Sequence, residues 1–524
     1  MGVKIKPSET APLFRVLTAT HSPSGDTWRC VTNRCVRMSS GITDKGKAEQ
    51  VLSMEELLKE HLPQLAEVER LPKVALEEVM ALSDQFPVAF PVHSARLKTL
   101  LKKGVQERAK LEEQVNSAYP LVHARVLPLL AAFLHYKRIY GRRKEKELYS
   151  SLTLLGLVNR LLKKRPVVFF NPNDTFVLRD GTDGCNGFEE IGHSHERPSL
   201  CLQEYMSYDE IKLSALVCVS SESCFVNPGG RHNRGVPGAS GTYQSEGVIV
   251  GMVGTRFERE GVMEWQDCIV SPDQNTRDRG FGDDPPLKRW LVREWGRLWG
   301  AAPLPTWEQA QKAPDGSFIS LSSRMLFNTQ VYKARIQLSA ETLLVEAGVR
   351  AAASGLKAYV HVVGLGLGCW LVTPQQHQLY VDAWAAALTA VDTSHIAHID
   401  FSWIKVESCG GTSDGEVMPG TSVTVHFSER DMQAPVPSGT LLVATFAWDG
   451  NAMPGNEFWK GMLSASGDPA AACSSGAAEL HNALINPRVT AHNLHVASSR
   501  GVEHVAEFAR HLIKEGNADK CSGN

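Results

Sequence analysis

The chain has 524 residues, 43% hydrophobic and 21% charged, with a formal net charge of -2 at pH 7. That composition excludes disordered, collagenous and membrane-spanning classes, and the near-balanced charge gives no general attraction for nucleic acid. The eleven cysteines are an odd, scattered set, read as reduced thiols of a cytoplasmic protein and not as a disulfide framework.

The length exceeds one ordinary core and predicts more than one domain. Residues 1–50 are rich in Ser, Thr and Pro and read as a mobile leader. Their start, MGVKIKPSETAPL, lacks the apolar stretch of a secretory signal. Cys30 and Cys35 stand there without further ligands nearby and read as free thiols. At Ser53 the S-x-x-E pattern with Glu56 predicts a capping box. Leu and Val recur at helical spacing beyond it, and helical stretches over 95–116, 121–140 and 144–164 complete an expected all-α domain, 51–165. Its end is basic: Lys137, Arg138, Arg142, Arg143, Lys144, Lys146, Lys163, Lys164 and Arg165. The plain reading is a solvated helix face. The sharper one is a docking surface for an acidic protein partner or a phosphate-rich ligand.

From Pro166 the texture changes to short runs of β-branched and aromatic residues: VVFF, TFVLRD, KLSALVCVS, EGVIVGMVG, YKARIQLS, KAYVHVVG, AHIDFSW, SVTVHFS and TLLVATFAW. Helical patterns lie among them at 287–299, 374–391 and 469–484. Alternating strands and helices over 166–495 predict a large α/β domain. Residues 496–524 read as a last helix, 501–515, and a polar tail. No apolar run reaches the roughly 18 residues of a membrane span, so no membrane partner is expected.

Residues 357–403 form the clearest βαβ unit. Gly364, Leu365, Gly366, Leu367 and Gly368 follow its first strand. Glycines there allow close approach of a ligand, and free N–H groups favour a diphosphate. The spacing G-x-G-x-G is not the dinucleotide fingerprint, and Asp400 is 36 residues past Gly364, too far for a ribose-binding acid. No nicotinamide or other cofactor is therefore expected. A second loop, FVNPGGRHNRG, places Asn227, Gly229 and Gly230 after another apolar run. Two such loops suit a diphosphate held from both sides. His232, between two arginines, reads as a solvated loop residue.

The stretch FAWDGNAMPGNEFWKGMLSASGDPAAA, 446–472, follows a strand-like run. Asp449, Glu457 and Asp468 are the candidate catalytic acids, and Trp448, Trp459, Asn451 and Asn456 the candidate contacts for a base and sugar hydroxyls. A carboxylate near an anomeric carbon can activate water or stabilise an oxocarbenium-like transition state. Each acid also has a structural reading: Asp449 in a D-G-N turn, Glu457 in a first helical turn, Asp468 as an N-cap. Together the loops and acids describe a pocket for ADP-ribose or a similar nucleotide diphosphate.

SCFVNPGGRHNRG…TYQSEG, YVHVVGLGLGCW and FAWDGNAMPGNEFW…SGDPAAA resemble divergent macrodomains of the poly(ADP-ribose) glycohydrolase-like branch, the group of the bacterial effector MavL and its eukaryotic relatives. The likeness spans about 200–490. It implies a three-layer α/β/α sandwich around a mixed sheet, with ADP-ribose at the sheet edge. The diphosphate would lie on Gly364–Gly368, the distal ribose near Asn227–Gly230, and the acids in the Asp449 cluster. It further implies removal of mono-ADP-ribose from protein side chains, arginine above all. The branch's three glycines and Gln-Glu-Glu are here Gly229-Gly230-Arg231 and Gln244-Ser245-Glu246. That departure argues against Glu246 as the acid and against a polymer-cleaving enzyme. A non-catalytic ADP-ribose reader and an interaction scaffold are the alternatives. No metal site is expected; Cys185, His193, His195 and Cys201 lack zinc spacing and read as a polar loop. The polar, turn-rich stretch 263–286 reads equally as a lid or substrate-binding loop and as a plain surface loop.

Overall fold

Short β-branched runs can be buried on both faces only inside a sheet covered by helices; six of the nine runs enter one mixed sheet of nine strands, while VVFF and TFVLRD pair in a separate three-stranded sheet. The computed structural model describes residues 52–170 and 173–521; the leader expected over 1–50, with Cys30 and Cys35, lies outside them. In chain order the strands are β1 (Tyr119–His123), β2 (Cys218–Cys224), β3 (Glu246–Met252), β4 (Lys357–Val362), β5 (Ile396–Ser402), β6 (Thr424–Ser428), β7 (Thr440–Ala447), β8 (His495–Ser498) and β9 (Gly501–His504). Their order across the sheet is β6-β5-β4-β7-β3-β2-β1-β8-β9. The first five run parallel. β2 is antiparallel to both neighbours, β1 is parallel to β8, and β8–β9 is a hairpin. Val425, Ile399, Val360, Val443 and Val248 share one register row, each at most 1% exposed.

Helices cover both faces. Neighbouring residues of a strand point to opposite sides; Ser220 bonds Glu346 on helix α1 (Thr329–Ser354), whereas Ser221 bonds His481, which follows a helical turn at Ala477–Leu480. The α1 helix replaces a strand expected at 332–339. YKARIQLS is locally β-like, but Val331, Arg335, Ile336, Ser339, Leu343, Glu346 and Ala347 are buried at helical spacing over 26 residues. Asn328 caps the start by accepting from Val331 N at 3.1 Å, and Gly355 ends it in the left-handed region at φ 69°. The longer period prevails over the local bias.

The segment before Arg165 is not all helical. Tyr119–His123, whose last three residues fall in the helix expected over 121–140, is β1, and it lies between β2 and β8. The described residues from Leu52 onward form one compact unit; a large apolar cluster runs from Met54 to Ala509, and a second joins Leu76, Phe90, Phe458, Trp459 and Ile485. The capping box is present: Glu56 N donates to Ser53 Oγ at 3.1 Å, and Ser53 N to Glu56 Oε2 at 2.8 Å. The basic face expected at its end is largely spent internally. Lys137 is buried between Glu145 and Asp209, both at 2.5 Å, Lys144 pairs with Glu196, and Arg165 is fully buried. The described cysteines are free. Among the described residues, no helix is long and apolar enough to cross a membrane, and no group of His, Cys, Asp and Glu could hold a metal ion.

Candidate active site

Three adjacent parallel strands, β4, β7 and β3, finish at one edge, with Ala447 opposite Met252. Their following loops meet there. A Cβ on Gly254, after β3, would stand 2.5 Å from Gly366 N of the glycine loop after β4; one on Gly450, after β7, would stand 2.5 Å from Val253. The glycine loop and the acid loop, more than eighty residues apart in sequence, thus share the edge where α/β sheets bind ligands.

The acid loop folds back on itself through carboxylates. Asp468, 1% exposed, sits in the first turn of helix α2 (Gly467–Ser474). It does not cap that helix; Ser466 holds the N-cap position. Its Oδ1 accepts from Gly455 N at 2.7 Å and its Oδ2 from Asp449 N at 3.2 Å. Asp449 accepts from Asn451 N at 3.3 Å, the expected turn contact, and from Asn456 Nδ2 at 2.5 Å. Glu457 accepts from Ser466 Oγ at 3.2 Å.

Three carboxylates in one desolvated place cannot all be ionised. Burial, then the neighbouring Glu457, pushes Asp449 up to about 8. The same two causes raise Asp468 well above the carboxylate range, and burial raises Glu457. The cluster therefore holds protons near neutral pH. Two buried arginines brace it from below. Arg165 lies over the Trp448 ring at 4.2 Å and donates to Gly450 O. Arg256 donates to Asn451 Oδ1 at 2.7 Å and pairs with Glu264 at 2.9 Å. Burial, then repulsion from Arg256, brings Arg165 down to about 9.

In the glycine loop the residues divide by role. Gly366 has φ 79°, and a Cβ there would meet Thr255 O at 2.8 Å. Gly368 is exposed and a Cβ on it would meet nothing within 4 Å, so the protein itself does not require glycine there. The N–H groups of Gly366 and Gly368 have no acceptor among the described residues. Leu365 is buried and Leu367 half-buried against Gly364. Gly366→Ala is expected to destabilise the fold by about 1–2 kcal/mol, read as a lower urea midpoint. Gly368→Ala should leave that midpoint unchanged.

The structure revises several ligand contacts expected from sequence. Trp448 and Trp459 are 2% and 4% exposed. Trp448 Nε1 donates to Ala452 O, and Trp459 packs on Phe86 and Phe90 and donates to Pro454 O. Neither ring offers a free face for a base. Asn451 and Asn456 are equally buried and hold the loop, Asn456 through a paired bond to the Phe169 backbone at 2.9 Å each way. Asn227, 1% exposed, accepts from Gly229 N at 2.9 Å; a Cβ on Gly229 would fall 1.6 Å from Gln433 Oε1, and one on Gly230 2.7 Å from Asp431 Oδ1. That glycine pair makes room for its own protein. What its loop sends to the acids is Arg231, which bonds the carbonyls of Ser464 and Ala465 and faces Glu457. Glu246 begins β3, at the opposite edge, and pairs with Lys110 at 3.2 Å.

Sequence reasoning missed Glu258 and Trp370. Glu258, on the loop after β3, accepts from Trp370 Nε1 of the glycine loop at 3.2 Å, and its charge bears on Asp449 and Glu457. Cys369 beside it is exposed and lies in the field of Asp449, Glu258 and Glu457. The signal was present in TRFERE, directly after a buried strand, where ligand-side residues gather.

Proton-holding carboxylates beside a glycine loop, at the carboxyl edge of a mixed α/β sheet, suit a hydrolytic enzyme. The chain belongs to the MavL-like ADP-ribosylhydrolase family, whose model matches residues 77–511. It is 39% identical over 460 residues to the ADP-ribosylarginine hydrolase CG2909 of Drosophila melanogaster, covering 84% of this chain and 90% of that one. It is also 39% identical over 461 residues to the ADP-ribosylarginine hydrolase CG3568 of the same organism, covering 84% and 89%. The match begins well before residue 200, where the motif likeness starts, in keeping with β1 being part of the sheet.

Proposed function

We propose that the chain hydrolyses the bond between ADP-ribose and a modified protein side chain, with arginine as the acceptor. The observation that carries this reading is the proton-holding cluster Asp449, Glu457 and Asp468 at the same sheet edge as the Gly364–Gly368 loop. The names of the two fly relatives favour arginine. In this reading the diphosphate lies on the free N–H groups of the glycine loop. Water adds to the anomeric carbon and gives a proton to one carboxylate. The carbon–nitrogen bond breaks, and the departing guanidine takes a proton from a second carboxyl group that is held protonated, leaving it as a carboxylate. Paired acids whose surroundings hold one of them protonated suit those two duties. The sheet with helices on both faces agrees with a macrodomain-like sandwich, its glycine loop and acids at one rim.

Incubation with an arginine-ADP-ribosylated protein should release free ADP-ribose, quantified by chromatography. Tight binding of ADP-ribose with no turnover of any linkage would instead make the protein a reader. Glu258 tests the loop. Glu258→Ala frees the Trp370 indole and is expected to raise KM by roughly threefold to tenfold, the worth of one hydrogen bond, with kcat little changed. Glu258→Gln keeps an acceptor and should retain most of the affinity; equal KM values in both variants would remove Glu258 from loop positioning.

A further inference from the structure

A second cavity, about 270 Å³, opens on the α1 face of the sheet beside β1 and β8. Three arginines line it, Arg70, Arg350 and Arg488, with Tyr119, His495 and His504, and no carboxylate is among its lining residues. β1 stands three strands from β7 in the sheet order, about 14 Å at ordinary strand spacing, so this is not the acid cluster seen from behind.

The arginines arrive from three separate parts of the chain and are held in place. Arg350 donates to Glu346 Oε1 at 2.8 Å and to Ser117 O at 2.9 Å, and lies over the Tyr119 ring at 4.6 Å. Arg488 donates to Leu71 O, Pro72 O and Asn493 Oδ1 at 3.1–3.2 Å. It meets no carboxylate, and its Nε is buried without a partner. Arg70, its side chain 67% exposed, bonds Glu507 through one terminal nitrogen. His495 stacks on Tyr119 at 4.0 Å and bonds Asn493 O through Nδ1, which leaves Nε2 without a partner among the described residues. A buried guanidinium nitrogen without an acceptor costs free energy that an oxyanion would recover. Arginine forks fit phosphate oxygens.

We propose that this pocket is a second ligand site, which binds a phosphate-class dianion, either free phosphate or the phosphoryl end of a small monoester. Its volume accommodates a phosphoryl group with a pentose-sized body and excludes a whole dinucleotide. Burial, and repulsion from Arg70, already depress the Arg488 guanidinium; the charge of a bound dianion would offset that repulsion.

The test is calorimetry on the full chain at constant ionic strength, with inorganic phosphate and with ribose 5-phosphate as separate titrants. Saturable binding is expected for at least one, and which one binds more tightly identifies the source of the phosphoryl group. Arg488→Gln and Arg70→Gln should each weaken it about tenfold, the scale of one charge-assisted hydrogen bond. Arg70→Gln alters an exposed side chain, so it decides the matter even where Arg488→Gln fails to fold. Release of ADP-ribose should be unchanged in Arg70→Gln. Absence of saturable binding overturns the proposal. So does binding that ADP-ribose displaces and Arg70→Gln leaves intact, since the anion would then sit in the acid-cluster site.

Discussion

Asp449→Asn is expected to lower the rate of ADP-ribose release by about 10²–10⁴-fold, the range of a lost general acid or base, while the fold stays as stable as before or becomes more stable. The two halves have one cause. Asp449 is desolvated and crowded by Glu457, which lifts it to about 8. An acid raised in the folded state takes up a proton on folding between its unfolded value, about 4, and its folded one. The stability it contributes is present below about pH 4 and declines as pH rises toward about 8, so at neutral pH the carboxyl burdens the fold. Asparagine removes that burden and keeps one acceptor oxygen, enough for Asn451 N or Asn456 Nδ2 but not for both. The rate of the unaltered protein should fall on the alkaline side as Asp449 loses its proton near pH 8, and Asp449→Asn should lack that limb. Thermal melts at pH 6 and 8 beside the rate profile check both. A fully active Asp449→Asn protein would move the chemistry to another residue.

Asn456→Ala is expected to do the reverse and damage the fold first. Its amide closes a two-way bond with the Phe169 backbone and a third bond to Asp449, at zero exposure. Alanine leaves a buried N–H, a buried C=O and a carboxylate oxygen unmatched, for a loss of about 2–4 kcal/mol. The residue also holds φ 33°, a left-handed conformation that asparagine tolerates better than alanine. Urea unfolding should show the lower midpoint, and activity should fall with it because Asp449 loses its tether. A protein with normal stability and lost activity would instead return Asn456 to the ligand contacts expected from its sequence.

These two neighbours in one motif show where reading the chain by itself reached its limit. The glycine loop, the strand before it and the strand before the acids were legible, because β-branched runs and glycine spacing are local signals. The capping box at Ser53 was legible for the same reason. The 332–339 stretch was misread since eight residues carry less information than the 26-residue helical period around them. β1 was missed as five residues running into a helix, whose place is set by β2 and β8, distant in sequence.

The sequence by itself determined the chemical inventory: three carboxylates within twenty residues after a buried strand, and a loop of alternating glycines after another. Only the tertiary structure decided which of those groups are packed and hydrogen-bonded within the protein and which meet at the sheet edge. Trp448, Trp459, Asn451 and Asn456 look like ligand contacts in the chain, yet packing consumes their faces and hydrogen bonds. Arg165, 285 residues from the Gly450 carbonyl it binds, and Glu258 look like surface charge and prove to shape the acid loop and its rim. The physical reason is that desolvation belongs to no residue type. The same aspartate is an ordinary turn carboxylate in water and a proton store when the folded chain shuts water out beside a second acid.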